Sequence, residues 1–149
     1  MEISKDLIQK LRDASSVSVM VCKRALEKAG GNYEKALEIL KEENAFLASK
    51  KSDRETKSGI IQSYVHGGRI GVIVELKCET DFVARSPDFV EFSKDIAMHI
   101  AASNPFDAEE LKLQPYIKNS AATVGDYIKE AIGKFGENIE VTKFCRFEL

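Results

Sequence analysis

Few residues in this chain could do chemistry, and they are scattered. His66 and His99 are the only histidines, and Cys22, Cys78 and Cys145 the only thiols. Covalent catalysis needs a nucleophile within reach of a base, and no spacing here pairs them. His99 falls on the apolar pattern of a helix, where a packed or snorkelled imidazole is expected rather than a general base. His66 adjoins a glycine turn and is expected to be exposed. Cys22 is followed by Lys23 and Arg24, charges that could lower a thiol pKa. Neighbours in a helix do not face one another, however, which favours a structural cysteine. The three cysteines are odd in number and far apart, neither a disulfide framework nor a zinc pattern, as suits a reducing compartment. Gly67-Gly68-Arg69-Ile70-Gly71 lacks the Lys-Ser/Thr end of a phosphate loop and joins strand to strand. The chain is therefore expected to bind no nucleotide, metal or cofactor of its own.

The remaining candidate is Thr80-Asp81-Phe82-Val83. It leaves a strand, carries a helix-start signal, and sets an aromatic between an acid and an aliphatic residue before Arg85. In one reading Thr80 or Asp81 caps a helical turn while Phe82 packs inward. In the other, Phe82 protrudes as an anchor. Residue types alone favour the first.

The elements that must position this segment follow from apolar periodicity. Ser4 can cap a first helix with Leu7, Ile8 and Leu11 on one stripe. Ser15-Ser16 interrupts it. A second helix is predicted over residues 19–29, with Met20, Ala25 and Leu26 inward, ended by Gly30-Gly31. Asn32 caps a third, carrying Tyr33, Ala36, Leu37 and Leu40. Residues 1–45 thus read as a three-helix bundle, small enough to be marginal alone, with a mere N-terminal extension as the alternative. Residues 46–58 read as a polar helical linker and 59–149 as a second unit. There the period becomes two: Ile60 to His66, a two-residue turn at Gly67-Gly68, and a return strand from Ile70 to Leu76. Helices are predicted over 88–102 and 124–134, the latter opened by Thr123 with Asp126 answering. A last strand places Ile139, Val141, Cys145, Phe147 and Leu149 on alternating positions. The fold class is α+β, a three-stranded antiparallel sheet covered by helices.

Composition excludes several classes. The 22 lysines and arginines nearly balance 24 acids across 149 residues, for a net charge of −2. That balance argues against nucleic acid as the main partner, since phosphate binding needs a concentrated basic surface. Met1 is followed at once by Glu2 and no long apolar run occurs, so a cytoplasmic protein without signal peptide or membrane span is the expectation.

The run Glu75-Leu76-Lys77-Cys78-Glu79-Thr80-Asp81-Phe82-Val83-Ala84-Arg85 closely resembles the signature of the elongation factor Ts family. Leu11-Arg12-Asp13-Ala14 and Met20-Val21-Cys22-Lys23-Arg24-Ala25-Leu26 resemble that family's ubiquitin-associated-like N-terminal bundle. The runs 64–72, 96–102, 136–139 and 144–149 resemble its core, in family order over essentially the whole chain. Two departures stand out. Ser16-Val17-Ser18-Val19-Met20-Val21 replaces a common Gly-Ala-Gly-Met-Met-Asp, which bears on the N-terminal contact surface. The stretch from Pro105 to Gln114-Pro115-Tyr116 is short where longer members insert helices, including a projecting hairpin, and some members carry a second core half.

The resemblance implies a non-enzymatic guanine nucleotide exchange factor whose partner is GDP-bound elongation factor Tu. Phe82 would wedge near the partner's nucleotide pocket and disturb its magnesium site. Thr80 and Asp81 would orient the wedge beside Val83, and Arg12, Met20 and His66 would add contacts. With one core half, two chains could pair through their sheets, a homodimer giving a two-to-two complex. The competing class is an interaction module of the translation machinery that exchanges nothing. A thiol enzyme using Cys22 or Cys78 finds no supporting pattern.

Overall fold

The computed structural model describes residues 3–149. Three helices open it: α1 (Lys5–Ser15), α2 (Val19–Lys28) and α3 (Tyr33–Lys51). Each begins where a short polar side chain takes up a free amide. Ser4 Oγ accepts from Leu7 N, Ser18 Oγ from Val21 N and Asn32 Oδ1 from Lys35 N. Leu11, Cys22, Ala25, Leu26, Ala36 and Leu40 form their buried cluster. Met20 departs from the expected inward position. It is 74% exposed and Cys22 takes the inward place, because the α2 stripe that meets α1 and α3 is set by Cys22, Ala25 and Leu26.

The third helix does not stop near residue 45. Nothing in the polar run from Asn44 to Lys51 breaks a helix, so α3 continues into the linker and buries Ala48 in a second cluster.

That second cluster lies beneath a three-stranded antiparallel sheet of order β1-β2-β5, with β1 at Ser58–His66, β2 at Ile70–Cys78 and β5 at Glu140–Glu148. Gly67 and Gly68 have φ of 56° and 67°, and Arg69 N donates to His66 O. His66 pairs with Ile70, so the turn holds three residues rather than the expected two, Arg69 being the extra one. The inner face carries Val72, Val74, Leu76 and Cys78 from β2, with Ile60 and Tyr64 partly buried beside them.

The last strand departs from simple alternation. Leu76 pairs with Val141 but Glu75 with Lys143, leaving Thr142 as a bulge residue. Its hydroxyl donates to Glu75 Oε1 at 2.6 Å. The extra residue turns over all that follows. Val141 is buried, Phe144 and Arg146 face the helices, and Cys145 and Phe147 face outward.

Helices α4 (Asp81–Ala84), α5 (Pro87–Ser103), α6 (Ala108–Leu113) and α7 (Val124–Phe135) complete the chain with a small hairpin of β3 (Pro115–Tyr116) and β4 (Asn119–Thr123). The Thr123–Asp126 capping box of α7 is present as expected. The α6 helix and the β3–β4 hairpin were not legible in the sequence, being too short for periodicity to register. They are held by His99, fully buried in α5. Its Nδ1 accepts from Ile117 N at 3.3 Å, so its Nε2 carries the proton and donates to Gln114 Oε1 at 2.9 Å.

Two expected outcomes follow from this geometry. Ser16 ends α1 in the left-handed region at φ 58° without being glycine, a conformation that costs a residue with a Cβ about 1 kcal/mol. Ser16→Gly should therefore raise stability by roughly 0.5–1 kcal/mol, read as a shifted urea midpoint at unchanged slope. His99 has its pKa held below the ordinary 6.5 by burial, with the Gln114 hydrogen bond opposing. An unfolded chain then binds more protons than the folded one. The stabilisation is complete above about pH 6.5 and declines as pH falls from there toward the folded pKa. The urea midpoint should fall through that window, and His99→Gln should flatten the fall.

Candidate functional site

The segment after β2 is organised around Thr80. Its hydroxyl accepts from Val83 N at 3.3 Å, the N-cap of the single turn α4. Its carbonyl accepts from Ala84 N at 3.1 Å and from Cys78 Sγ at 3.3 Å. Its amide donates to Glu137 Oε1 at 3.0 Å, and its hydroxyl proton goes to Glu137 Oε2 at 2.7 Å. Every polar group of Thr80 is thus engaged. At the far end Ser86 donates from N and Oγ to Val83 O, then caps α5 by accepting from Phe89 N, with Pro87 in the first helical turn. One short turn is capped at both ends.

Val83 and Ala84 are buried under this turn, whereas Phe82 is 87% exposed. The inward packing favoured by residue types does not occur, because Val83 and Ala84 already fill the inner positions of a four-residue helix. Asp81 and Phe82 are left outward, beside a shallow hollow also lined by Arg85, Ser86 and Pro87. Burial, and then the Glu137 carboxylate, push the Cys78 thiol up to about 11. A neutral, buried thiol of this kind is no nucleophile. Cys22 is buried as well, its Sγ directed to Val17 O.

The other candidates do not gather around Phe82. His66 is exposed at the opposite end of the β1–β2 hairpin, roughly 25 Å away along nine strand residues. Its Nδ1 lies 2.9 Å from Tyr64 Oη. Arg12 on α1 and Met20 on α2 are exposed on the helical bundle. No three His, Cys, Asp or Glu side chains among the described residues are placed to hold a metal. A second surface is the outer face of the sheet, where Ile61, Val65, Ile73 and Phe147 are exposed beside Cys145. Ile73 pairs with both Ser63 and Cys145, and Gly71 with both Val65 and Phe147, so these side chains form adjacent rows.

The residue the sequence did not point to is Glu137. It stands 57 positions from Thr80 and follows Gly136, the left-handed end of α7. Only the Gly136-Glu137-Asn138 run drew attention to this region, and nothing local says what its carboxylate would meet.

A sequence profile described as Elongation factor TS matches residues 79–149, the Phe82 turn and everything after it. Elongation factor Ts of Alkaliphilus metalliredigens is 37% identical over 194 aligned positions, covering 100% of this chain and 90% of that protein. The chain belongs to the elongation factor Ts family. It is accordingly a translation elongation factor. Elongation factor Ts of Thermodesulfovibrio yellowstonii is similar at 37% identity, covering 100% of this chain and 97% of its own. That of Thermotoga petrophila reaches 39% with the same coverages. The aligned lengths exceed the 149 residues here, so these family members carry stretches without a counterpart in this chain. Among the described residues, no helix is long and apolar enough to cross a membrane.

Proposed function

We propose that this chain is a cytoplasmic guanine nucleotide exchange factor for elongation factor Tu. The observation that carries the proposal is the presentation of Phe82. A large aromatic side chain stands 87% exposed on a turn whose backbone is hydrogen-bonded throughout. Folding alone gains nothing from such an arrangement, whereas insertion into a partner buries the ring without first ordering the loop. The chain catalyses no covalent step.

In the mechanism Phe82 enters between side chains near the partner's nucleotide pocket and disturbs the magnesium and phosphate contacts. Asp81 and Thr80 set its direction. Factor and GDP must weaken each other's binding by the same ratio, and each tenfold weakening needs about 1.4 kcal/mol of differential contact. A buried aromatic anchor supplies roughly 2 kcal/mol or more, which gives tens-fold but not thousands-fold coupling. Further contacts are needed, and the proposal assigns them to the exposed Met20, Arg12 and His66. Phe82→Ala should leave the melting temperature within about a degree of wild type, since exposed substitutions rarely move stability by more than about 0.5 kcal/mol. It should slow GDP release from elongation factor Tu at least about tenfold. Stopped-flow release at the wild-type rate would exclude the wedge, and a chain that binds the partner without releasing GDP would be an interaction module.

We further propose that two copies pair through their sheets, giving a two-to-two complex with the partner. The support is the outer sheet face with Ile61, Val65, Ile73 and Phe147 exposed in adjacent rows, and the open edges of β1 and β5. Light scattering should report a dimer that Phe147→Lys returns to monomer. A monomer at high concentration overturns the pairing.

A further inference from the structure

We infer that Glu137 is a positioning residue for exchange, holding the Phe82 turn at a fixed attitude and tying it to the end of α3. The inference rests on the exchange proposal above and adds a residue to it. Glu137 hydrogen-bonds to Glu79 and Thr80 and not to Phe82. It acts through the peptide groups that precede the ring.

Its carboxylate accepts three hydrogen bonds from one side of the turn. Oε1 accepts from both Glu79 N and Thr80 N at 3.0 Å, and Oε2 accepts the Thr80 hydroxyl at 2.7 Å. Two consecutive amides converging on one oxygen fix the peptide plane between Glu79 and Thr80. The third bond fixes the Thr80 rotamer, which in turn lets Oγ1 accept from Val83 N. Bonds to an ionised acceptor are shorter and stronger than neutral ones. The direction in which α4 leaves the sheet, and with it Phe82, is set by a carboxylate from the other end of the sequence.

The residues on either side of Glu137 reach the opposite way. Gly136 O accepts from Lys51 Nζ at 2.7 Å, at the last residue of α3. Asn138 Nδ2 donates to Arg54 O at 2.9 Å and lies 3.4 Å from Ser52 O, just beyond that helix. Asn138 N donates to Glu79 Oε1 at 2.8 Å, and the Arg54 guanidinium lies 3.6 Å from the same oxygen. Glu79 is thereby held between the turn and the segment following α3. Residues 136–138 form a junction between the Phe82 turn and the helix that carries the N-terminal bundle. A partner gripping Met20 and Arg12 therefore meets Phe82 at a preset position. Displacement of an acting group by about 1 Å costs rates on the order of a hundredfold in well-positioned sites, so small rotations of this turn matter.

The test uses full-length chains on elongation factor Tu loaded with fluorescent GDP. It measures the saturating release rate, the half-saturating concentration and native-state amide exchange for Glu137→Ala, Glu137→Gln and Phe82→Ala. Glu137→Ala should lower the saturating rate about tenfold or more while moving half-saturation less than about threefold. The amides of Thr80, Val83 and Ala84 should lose protection while those of β2 keep theirs. Glu137→Gln retains one oxygen for both amides and should recover release to within about threefold of wild type. Wild-type saturating release by Glu137→Ala, with Phe82→Ala slow, overturns the positioning role and leaves the wedge standing. Slowing accompanied by protection lost throughout the sheet reduces Glu137 to a stabilising residue and overturns it equally. Undiminished release by Phe82→Ala excludes the wedge, and the role of Glu137 with it, whereas a wild-type chain that leaves GDP release unaccelerated removes the exchange proposal itself.

Discussion

Neither apolar cluster of this chain settles its own place, and the packing of α3 along α7 settles both. Small bundles bury little area, and the bundle here shares its third helix with the sheet core: Ala36 and Leu40 face one cluster, Ala48 the other. Where the two helices meet, Gly133 leaves room for the Asn44 side chain. A Cβ there would lie 2.2 Å from Asn44 Oδ1, so the end of the Asn44 side chain would have to turn aside. No backbone atom of α3 lies within reach of that position, so the Asn44 amide alone would have to move. At the end of α3, Lys51 Nζ donates to Gly136 O at 2.7 Å, the first link of the junction holding the Phe82 turn. The geometry of the candidate site is therefore downstream of the contact between α3 and α7, which lies in neither the turn nor the sheet.

What the sequence revealed of this fold is what local physics controls. The Ser4 and Asn32 caps of the bundle, the Thr123–Asp126 box and the strand pair around Gly67-Gly68 are local, and each stands where residue types place it. The failures share a cause. Met20 reads as inward because a helical stripe one residue wider would include it, and only the positions of α1 and α3 exclude it. The alternating run Val141, Cys145, Phe147 assumes an unbroken period of two, but the register slip at Thr142 puts Cys145 and Phe147 on the face opposite the buried Val141. Thr142 gives no sign of this in sequence. The bulge is fixed by a hydrogen bond to Glu75, on a strand 67 positions earlier. The hairpin of β3 and β4 depends on His99, whose role as a hydrogen-bonded core residue needs Gln114 and Ile117 in place.

The candidate site was legible to a similar degree. Thr80 announces itself as a cap, and it is one. The orientation of Phe82 is not in the local pattern, because a four-residue helix presents two residues inward and two outward whichever pair is apolar. Val83 and Ala84 win the inner positions because β2 delivers Cys78 to the interior and leaves room for small side chains behind it. Resemblance to the elongation factor Ts signature supplied the outward orientation that composition did not. Glu137 was beyond both, since its partner lies 57 residues away and its own neighbours describe only the end of a helix.

On the exchange proposal, the separation of contacts along the molecule has a thermodynamic consequence. A contact made equally in the GDP-bound and GDP-free partner raises affinity but shifts nothing. Only a contact that differs between the two states lowers the hold on GDP. Met20 and Arg12 lie on the bundle and His66 at the far end of the hairpin, roughly 25 Å from the turn, so they suit the first kind. Phe82 suits the second. The two kinds are useful together only if the body between them is stiff, because slack in the connection lets the bundle bind while the ring stays outside. The α3–α7 packing and the junction at residues 136–138 supply that stiffness. Rigidity here lies between the contacts, and exposure is confined to the side chains that make them.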